Sequence, residues 1–378
     1  MADSAEIVLQ IKNLDVSFHS PTETVHALRG VDLTLRRGET VALVGESGSG
    51  KSVTMKAVMG ILPPGGVINS GEILFREKRS DNQSGGGDDL SGMTDLAKES
   101  EKRIRKDIRG RRIAMVFQDP MTSLNPTMKI GKQLMTAILS HEDISKKEAE
   151  ARAVMLLKEV GITEPERRMN QYPHEFSGGM RQRIVIAIAL SCNPEVLICD
   201  EPTTALDVTI QDRILDLIVS LQRKLSLSVV YITHDLGVVA KVADYVNVMY
   251  AGRVIESGTV FDVFYDPRHP YTWGLLEAIP DVKGSGDLAT IPGTPPVLTK
   301  EPEGDAFAPR NRYALEVDFK KEAPMFKISD THYAATWLLD PRAPKVERPE
   351  SLQKKIDEMK KEAVDWAGNS DDKLSWKR

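Results

Sequence analysis

Along roughly the first 262 residues, short apolar runs alternate with segments whose apolar positions recur at helical spacing. VALVG (41–45), IAMVF (113–117), VLIC (196–199) and LSVVYIT (227–233) are continuous apolar or β-branched runs. Such runs predict strands covered on both faces, as in a parallel sheet. YVNVMYAGRVIESG (245–258) reads as a hairpin turning at Ala251–Gly252. KKEAEARAVMLLKEVGI (146–162) has apolar residues at helical spacing and predicts a helix stopped by Gly161. The alternation is that of an α/β domain.

Three segments depart from it. Residues 78–101 are polar and glycine-rich, which predicts a surface insertion. After Pro267 the periodicity is lost and prolines cluster at 293–309, predicting a small irregular appendage. From Glu350 a helical pattern returns, with Leu352, Ile356, Met359 and Ala363 on one face. That face is expected to dock on the same chain or on a neighbour. No internal repeat is visible.

Composition narrows the classes. The 378 residues are 41% hydrophobic and 28% charged, enough for two or three domains and one large core. The net charge of −5 argues against nucleic acid as a partner. The basic run KRIRKDIRGRR (102–112) is expected to be a solvated helix before a strand. No run approaches the length of apolar chain that crosses a bilayer, and the start MADSAEIVLQIKN lacks a signal-peptide pattern. Cys192 and Cys199 are too few for a disulfide framework. These features predict a cytosolic chain, free to sit on a membrane protein.

GESGSGKS, between the apolar run VALV and the helical pattern SVTMKAVMG, matches G-x-x-x-x-G-K-[ST]. In such a loop Gly45, Glu46, Ser47, Gly48, Ser49 and Gly50 aim backbone N–H groups at a β-phosphate. Lys51 neutralises β- and γ-oxygens, the helix N-terminus adds its positive end, and Ser52 offers a hydroxyl to Mg²⁺. VLICDEP (196–202) ends a predicted strand in two carboxylates. Asp200 is then expected to order the Mg²⁺ shell beside Ser52, and Glu201 to polarise an attacking water. FSGGMRQR (176–183) puts Ser177, Gly178 and Gly179 before an apolar helix, a second anion-binding helix start in the same chain. His234, in YITHDLGVV, ends a strand where it can reach a γ-phosphate.

The order GESGSGKS, VFQDP, FSGGMRQR, VLICDEP, ALD, THD resembles the ATP-binding cassette of ABC transporters, across about residues 7–262. The resemblance implies a P-loop ABC ATPase: an α/β fold with a RecA-like core sheet, an antiparallel β subdomain and a helical subdomain at about 119–190. Gln118 matches the glutamine that joins Mg²⁺ sensing to the helical subdomain. Ser177, Gly178 and Gly179 match the signature loop that closes on ATP held by an opposite subunit, and Asp207 the loop crossing that interface. Phe176 and Met180 stand where the commonest signature has Leu and Gln. Phe18, in LDVSFHS, is the candidate aromatic for stacking on adenine, with a core role or neighbouring His19 as alternatives.

VFQDPMTSLNPTMKIG, EPTTALDVTIQ, RHPYTWGLLEAIP, IPGTPP and FAPRNRYA resemble, more narrowly, the ATPase subunits of oligopeptide/dipeptide importers. That likeness divides the chain into a cassette (1–262), a C-terminal extension of the subfamily (263–345) and a helical tail (346–378). It implies two membrane permease subunits, a second ATPase chain, an extracytoplasmic peptide-binding protein and a place on the cytoplasmic face of the cell membrane. Cargo stays open, with nickel or another solute as alternatives to peptide, and a soluble cassette ATPase outside transport is the rival class. Many members of the subfamily hold an iron–sulfur cluster on four cysteines of the extension. At the matching positions stand Asp305, Asn311, Asp318 and Thr336, so no cluster is expected. Apolar contacts from Phe307, Tyr313, Phe319, Phe326 and Trp337 are expected to hold the extension instead.

Overall fold

The computed structural model describes residues 5–77, 90, 92–204, 206–279 and 290–369, with side chains of the last helix described to 361. Nearly all of the 78–101 stretch up to residue 91, Ala205 of the ALD motif and the side chain of Ala363 lie outside them.

Two sheets form the cassette. β1 (Ile7–His19), β2 (Thr24–Arg36), β4 (Gly66–Phe75) and β5 (Thr94–Asp95) make an antiparallel sheet in the order β2-β1-β4-β5. The second sheet contains β3 (Thr40–Val44), β6 (Ile113–Val116), β7 (Val196–Asp200), β8 (Ser228–Thr233), β9 (Tyr245–Tyr250) and β10 (Arg253–Thr259). It continues through β11 (Phe326–Lys327) and β12 (Tyr333–Ala334), in the order β11-β12-β10-β9-β3-β8-β7-β6. β9, β3, β8, β7 and β6 run parallel, and every residue of β3, β6, β7 and β8 is buried. The continuous apolar runs of the sequence are these strands, each covered on both faces. Gly45 and Phe117, which ended two of those runs, fall just past β3 and β6.

The hairpin β9–β10 turns at Ala251 and Gly252, both with positive φ (46° and 79°), the primed geometry that suits the strand twist. The helix Lys146–Glu159 starts with a capping box, Ser145 with Glu148, and ends before Gly161 at φ 76°. With the helices Ile130–Leu139 and Gly178–Ala189 it encloses an apolar cluster that includes Leu134, Ile138, Leu157 and Ile184.

Three expectations need correction. The basic run is not simply a solvated helix: Glu101–Arg103 is one helical turn, followed by a π-helical turn Ile104–Ile108. Ile104 and Ile108, four positions apart on one face of the turn, are buried, the turn closes with the Arg109 N–H on the Ile104 carbonyl, and the Arg109 side chain donates to the carbonyls of Met59 and Gly60. The extension is not a separate appendage either. β12 pairs with β10, and the helix Val260–Tyr265 runs across residue 262, the expected boundary. Phe319 is 55% exposed and has no ring partner among the described residues, whereas Phe307 is buried against Tyr250 and Tyr271. Tyr313 stacks edge-on with Trp273, and Phe326 with Trp337.

The terminal helix Glu350–Asn369 docks on its own chain. Leu352 and Ile356 are fully buried in the cluster that holds Tyr271, Leu276 and Phe307, with Met359 packed beside them.

Candidate functional site

The turn after β3 is set by sterics. Gly45 has φ 148°, and a Cβ there would lie 2.2 Å from the carbonyl oxygen of Met249. Gly50 has φ 104° and caps the helix Lys51–Val58, with Leu28 closing the space a side chain would need. The hairpin turn supports the loop from below, since the Gly252 N–H donates to the Ser49 carbonyl at 3.0 Å.

Lys51 is only 5% exposed, and its ammonium donates to the carbonyls of Gly45 (2.7 Å) and Glu46 (2.9 Å). Burial pushes its pKa down, against the pull of Glu201, Asp200 and Glu46. The Ser52 hydroxyl donates to Asp200 Oδ1 at 2.8 Å, although β8 lies between β3 and β7 in the sheet. The crevice at the carboxyl ends of parallel strands brings them together. Burial pushes the Asp200 carboxyl up, while the Ser52 hydrogen bond pulls the other way. Two hard oxygens, one on a carboxylate whose charge burial disfavours, suit a small divalent cation.

Directly after β7, Glu201 adopts a left-handed backbone (φ 47°), rare outside glycine and asparagine and found where a site requires it. Its carboxylate is a meeting point. Oε2 accepts from Gln118 Nε2 (3.2 Å) and from the Thr204 hydroxyl (3.0 Å), and Oε1 lies 3.3 Å from His234 Nδ1. The three residues singled out for catalysis thus come together, although they lie on three different connections. Thr204 was not singled out, and its only sequence signal is its place in the EPTT run.

Ser177, Gly178, Gly179 and Asp207 form a second cluster. Ser177 caps the helix Gly178–Ala189 by accepting from Met180 N–H, and Asp207 caps the helix Val208–Leu225 by accepting from Ile210 N–H. Gly179 is buried against Ile210, where a Cβ would come within 2.6 Å of that side chain. Among the described residues no hydrogen bond joins this cluster to the Gly45–Ser52 loop. Phe18 is half-buried on β1, in the same apolar cluster as Val53 and Met55 of the phosphate-loop helix.

The four positions matching cluster cysteines share one local role. Asp305, Asn311 and Thr336 each accept the backbone N–H two residues on, from Phe307, Tyr313 and Leu338. Asp318 accepts from Leu315 N–H at 2.6 Å. Side-chain oxygens spent on the backbone are poor ligands for iron, which prefers sulfur in such clusters. Nor can the cysteines replace them, because Cys199 is fully buried in β7, where burial pushes its thiol up to about 12. Those residues do not fit an iron–sulfur cluster.

Residues 28–204 match the ABC transporter family, and residues 255–317 match the C-terminal region of oligopeptide/dipeptide transporters. The chain is 57% identical to the oligopeptide transport ATP-binding protein OppD of Bacillus subtilis, over 92% of this chain and 94% of that one. It is 53% identical to the dipeptide transport ATP-binding protein DppD of Lactococcus lactis, over 90% and 93%. A solved dimeric ATP-binding cassette in a post-hydrolysis state with ADP and Pi superimposes with a TM-score of 0.55 at 27% identity. It covers 67% of this chain and 98% of its own. With a cassette, the matching C-terminal region and relatives aligned over nearly their whole length, the chain belongs to the ABC transporter family, among its oligopeptide and dipeptide transport ATP-binding proteins.

Proposed function

We propose that this chain binds and hydrolyses ATP to energise peptide import, as the cytoplasmic-face ATPase of a complex with two permease subunits. A second ATPase chain and an extracytoplasmic peptide-binding protein complete that assembly. The observation carrying the reading is the Glu201 carboxylate, which gathers Gln118, Thr204 and His234 while Ser52 meets Asp200 one residue away.

In this reading the loop amides within residues 45–50, except that of Glu46, which is given to the Tyr271 hydroxyl, and the Lys51 ammonium hold the β- and γ-phosphates, and Phe18 stacks on the adenine. Ser52, Asp200 and Gln118 hold Mg²⁺, which neutralises phosphate charge. Glu201 is the general base: it takes a proton from the attacking water, and His234, 3.3 Å away, orients the carboxylate and can meet the γ-phosphate. Gln118 gives up its bond to Glu201 when it turns toward nucleotide, which signals occupancy to the helices that follow it. Ser177, Gly178, Gly179 and Asp207 act on nucleotide held by the second ATPase chain. Closure of the two chains around ATP, released by hydrolysis, is the work done on the permease.

The test is the complex co-purified from membranes. Mass spectrometry is expected to find permease chains. Glu201→Gln is expected to keep ATP affinity while losing at least about a hundredfold in turnover, because removing a general base typically costs that much. Lys51→Ala is expected to weaken nucleotide binding itself. Wild-type turnover in Glu201→Gln, or a preparation without any permease chain, would sink the reading.

The extension is proposed to carry no iron–sulfur cluster, since the four oxygen side chains already cap backbone amides. Anaerobically purified protein is expected to be colourless, without stoichiometric iron or sulfide; stoichiometric iron on this chain would refute the proposal.

A further inference from the structure

We propose that the C-terminal extension sets the geometry of the phosphate loop, with Arg310 and Tyr271 acting on Glu46 as positioning residues for ATP binding. Glu46 is the second residue of the loop, and each of its polar groups is held. Its N–H donates to the Tyr271 hydroxyl at 2.8 Å, and its carbonyl accepts from Lys51 at 2.9 Å. Its carboxylate takes a bidentate pair from Arg310, at 2.6 Å from Nη1 and 3.0 Å from Nη2. Two of those three holds come from beyond residue 267, outside the cassette.

The clamp is itself fixed. Arg310 Nε donates to the Pro292 carbonyl at 2.7 Å, Nη1 to the Tyr250 hydroxyl at 3.2 Å and Nη2 to the Gly293 carbonyl at 3.2 Å. The Arg310 side chain is 6% exposed and that of Glu46 28%, so solvent and salt screen the pair little. A planar guanidinium meeting a carboxylate on two prongs fixes orientation as well as distance, which a lysine cannot do. Tyr271 is fully buried beneath the loop, wedged between Tyr250 and Phe307.

Docking the extension alone does not require this arrangement. β12 on β10, the terminal helix and the buried Glu256, which accepts from His332 and from the N–H groups of Arg268 and His269, already fasten it. Arg310 instead reaches across 264 positions to the one loop residue whose carbonyl shares the Lys51 ammonium with Gly45. With both its amide and its carboxylate held, Glu46 cannot rotate its carbonyl away, so Lys51 stays aimed along the loop. Without the clamp that orientation spreads over several states, and binding carries the cost of selecting one.

The inference rests on the reading of residues 45–52 as the ATP site, so the experiment separates the two. Nucleotide affinity of the full chain is measured with a fluorescent ATP analogue for Glu46→Gln, Arg310→Gln and the double variant, with Lys51→Ala alongside. Glu46→Gln keeps the size of the side chain and leaves the extension's own hydrogen bonds untouched. Each single variant is expected to weaken binding about fivefold or more, the lower end of ordinary coupling between sites. The double variant is expected to be no worse than the poorer single one, since both break one interaction. Arg310→Lys is expected to fall between wild type and Arg310→Gln, keeping charge but losing the fork. Wild-type affinity in Glu46→Gln while Lys51→Ala loses binding would overturn the clamp alone, as would additive losses in the double variant. Unchanged affinity in Lys51→Ala would overturn the ATP-site reading beneath it.

Discussion

Asp305 shows how a single residue in the extension feels its surroundings. Burial first, then the nearby negative charges of Asp318 and Glu322, push its carboxyl from 3.8 up to about 6, against the N–H it accepts from Phe307. A carboxyl whose folded-state pKa is raised holds its proton more tightly folded than unfolded. The stabilisation this gives is fully present below about pH 4 and is lost as pH rises through about 6. Asp305→Asn keeps the oxygen that accepts from Phe307 and removes the charge. It is expected to stabilise the protein by about 1–2 kcal/mol at pH 8 and by nothing measurable at pH 4. Denaturant midpoints at the two pH values check this, and equal gains at both would show that the charge costs nothing there. Such a contact is invisible in sequence, because Asp305 and Glu322 meet only through folding. The same holds for Arg310, which was not singled out within FAPRNRYA: nothing local says that its partner is Glu46. By contrast Ser52, Asp200 and Glu201 were legible, since glycine spacing and a strand ending in Asp-Glu constrain their surroundings directly.

At the scale of elements, the sequence was clearest where one force dominates. β3, β6, β7 and β8 are buried on both faces, so their middles are continuous apolar runs that stand out, with polar Thr40, Asp200, Ser228 and Thr233 only at strand ends. The β9–β10 turn was readable because Ala251–Gly252 must supply two positive φ values. Where two forces compete, the reading failed. Around Ile104–Ile108 basic composition pointed to solvent, while the two isoleucines, four apart and so on one helical face, are buried in the core. In the extension, proline suppressed periodicity, so two-residue strands left no pattern even though one of them lengthens the main sheet. Phe319 was misjudged for a related reason: in an irregular segment hydrophobicity has no period to say which aromatics point inward. Phe307 and Tyr313 found ring partners in the helix Pro270–Glu277, and Phe319 did not.

In the proposed reading the chain carries both halves of an ATP site, and among the described residues no hydrogen bond joins them. The Gly45–Ser52 loop sits at the crevice of the parallel sheet, while Ser177–Gly179 opens a helix whose neighbour is the Asp207 cap. Each opens a helix, whose positive end suits phosphate, and a single nucleotide lodged in the loop does not need the other. Two chains arranged head to tail satisfy both halves, and the similar solved cassette is a dimer with ADP and Pi. If the Ser177 segment works across that interface, damage to it must appear in the partner's site. Ser177→Arg puts a bulky cation where a small hydroxyl caps the helix, beside the surface that would face the partner's phosphates. ATP affinity of the isolated variant chain is expected to stay within about twofold of wild type, because its own loop is unchanged. Mixed dimers of Ser177→Arg with chains lacking the base (Glu201→Gln) leave Glu201 in only one chain, so they separate the two directions. Hydrolysis is expected to fall by at least about tenfold when the intact Glu201 faces the altered segment of its partner, as loss of transition-state contacts predicts. It is expected to be nearly kept when Ser177→Arg lies in one chain and Glu201→Gln in the other, so that the intact Glu201 faces an unaltered signature loop, whereas placing both substitutions in one chain gives the loss. The reverse pattern, with hydrolysis lost when the substitutions lie in different chains and kept when they share one, or an affinity collapse in the isolated chain, would mean that Ser177 serves the nucleotide of its own chain.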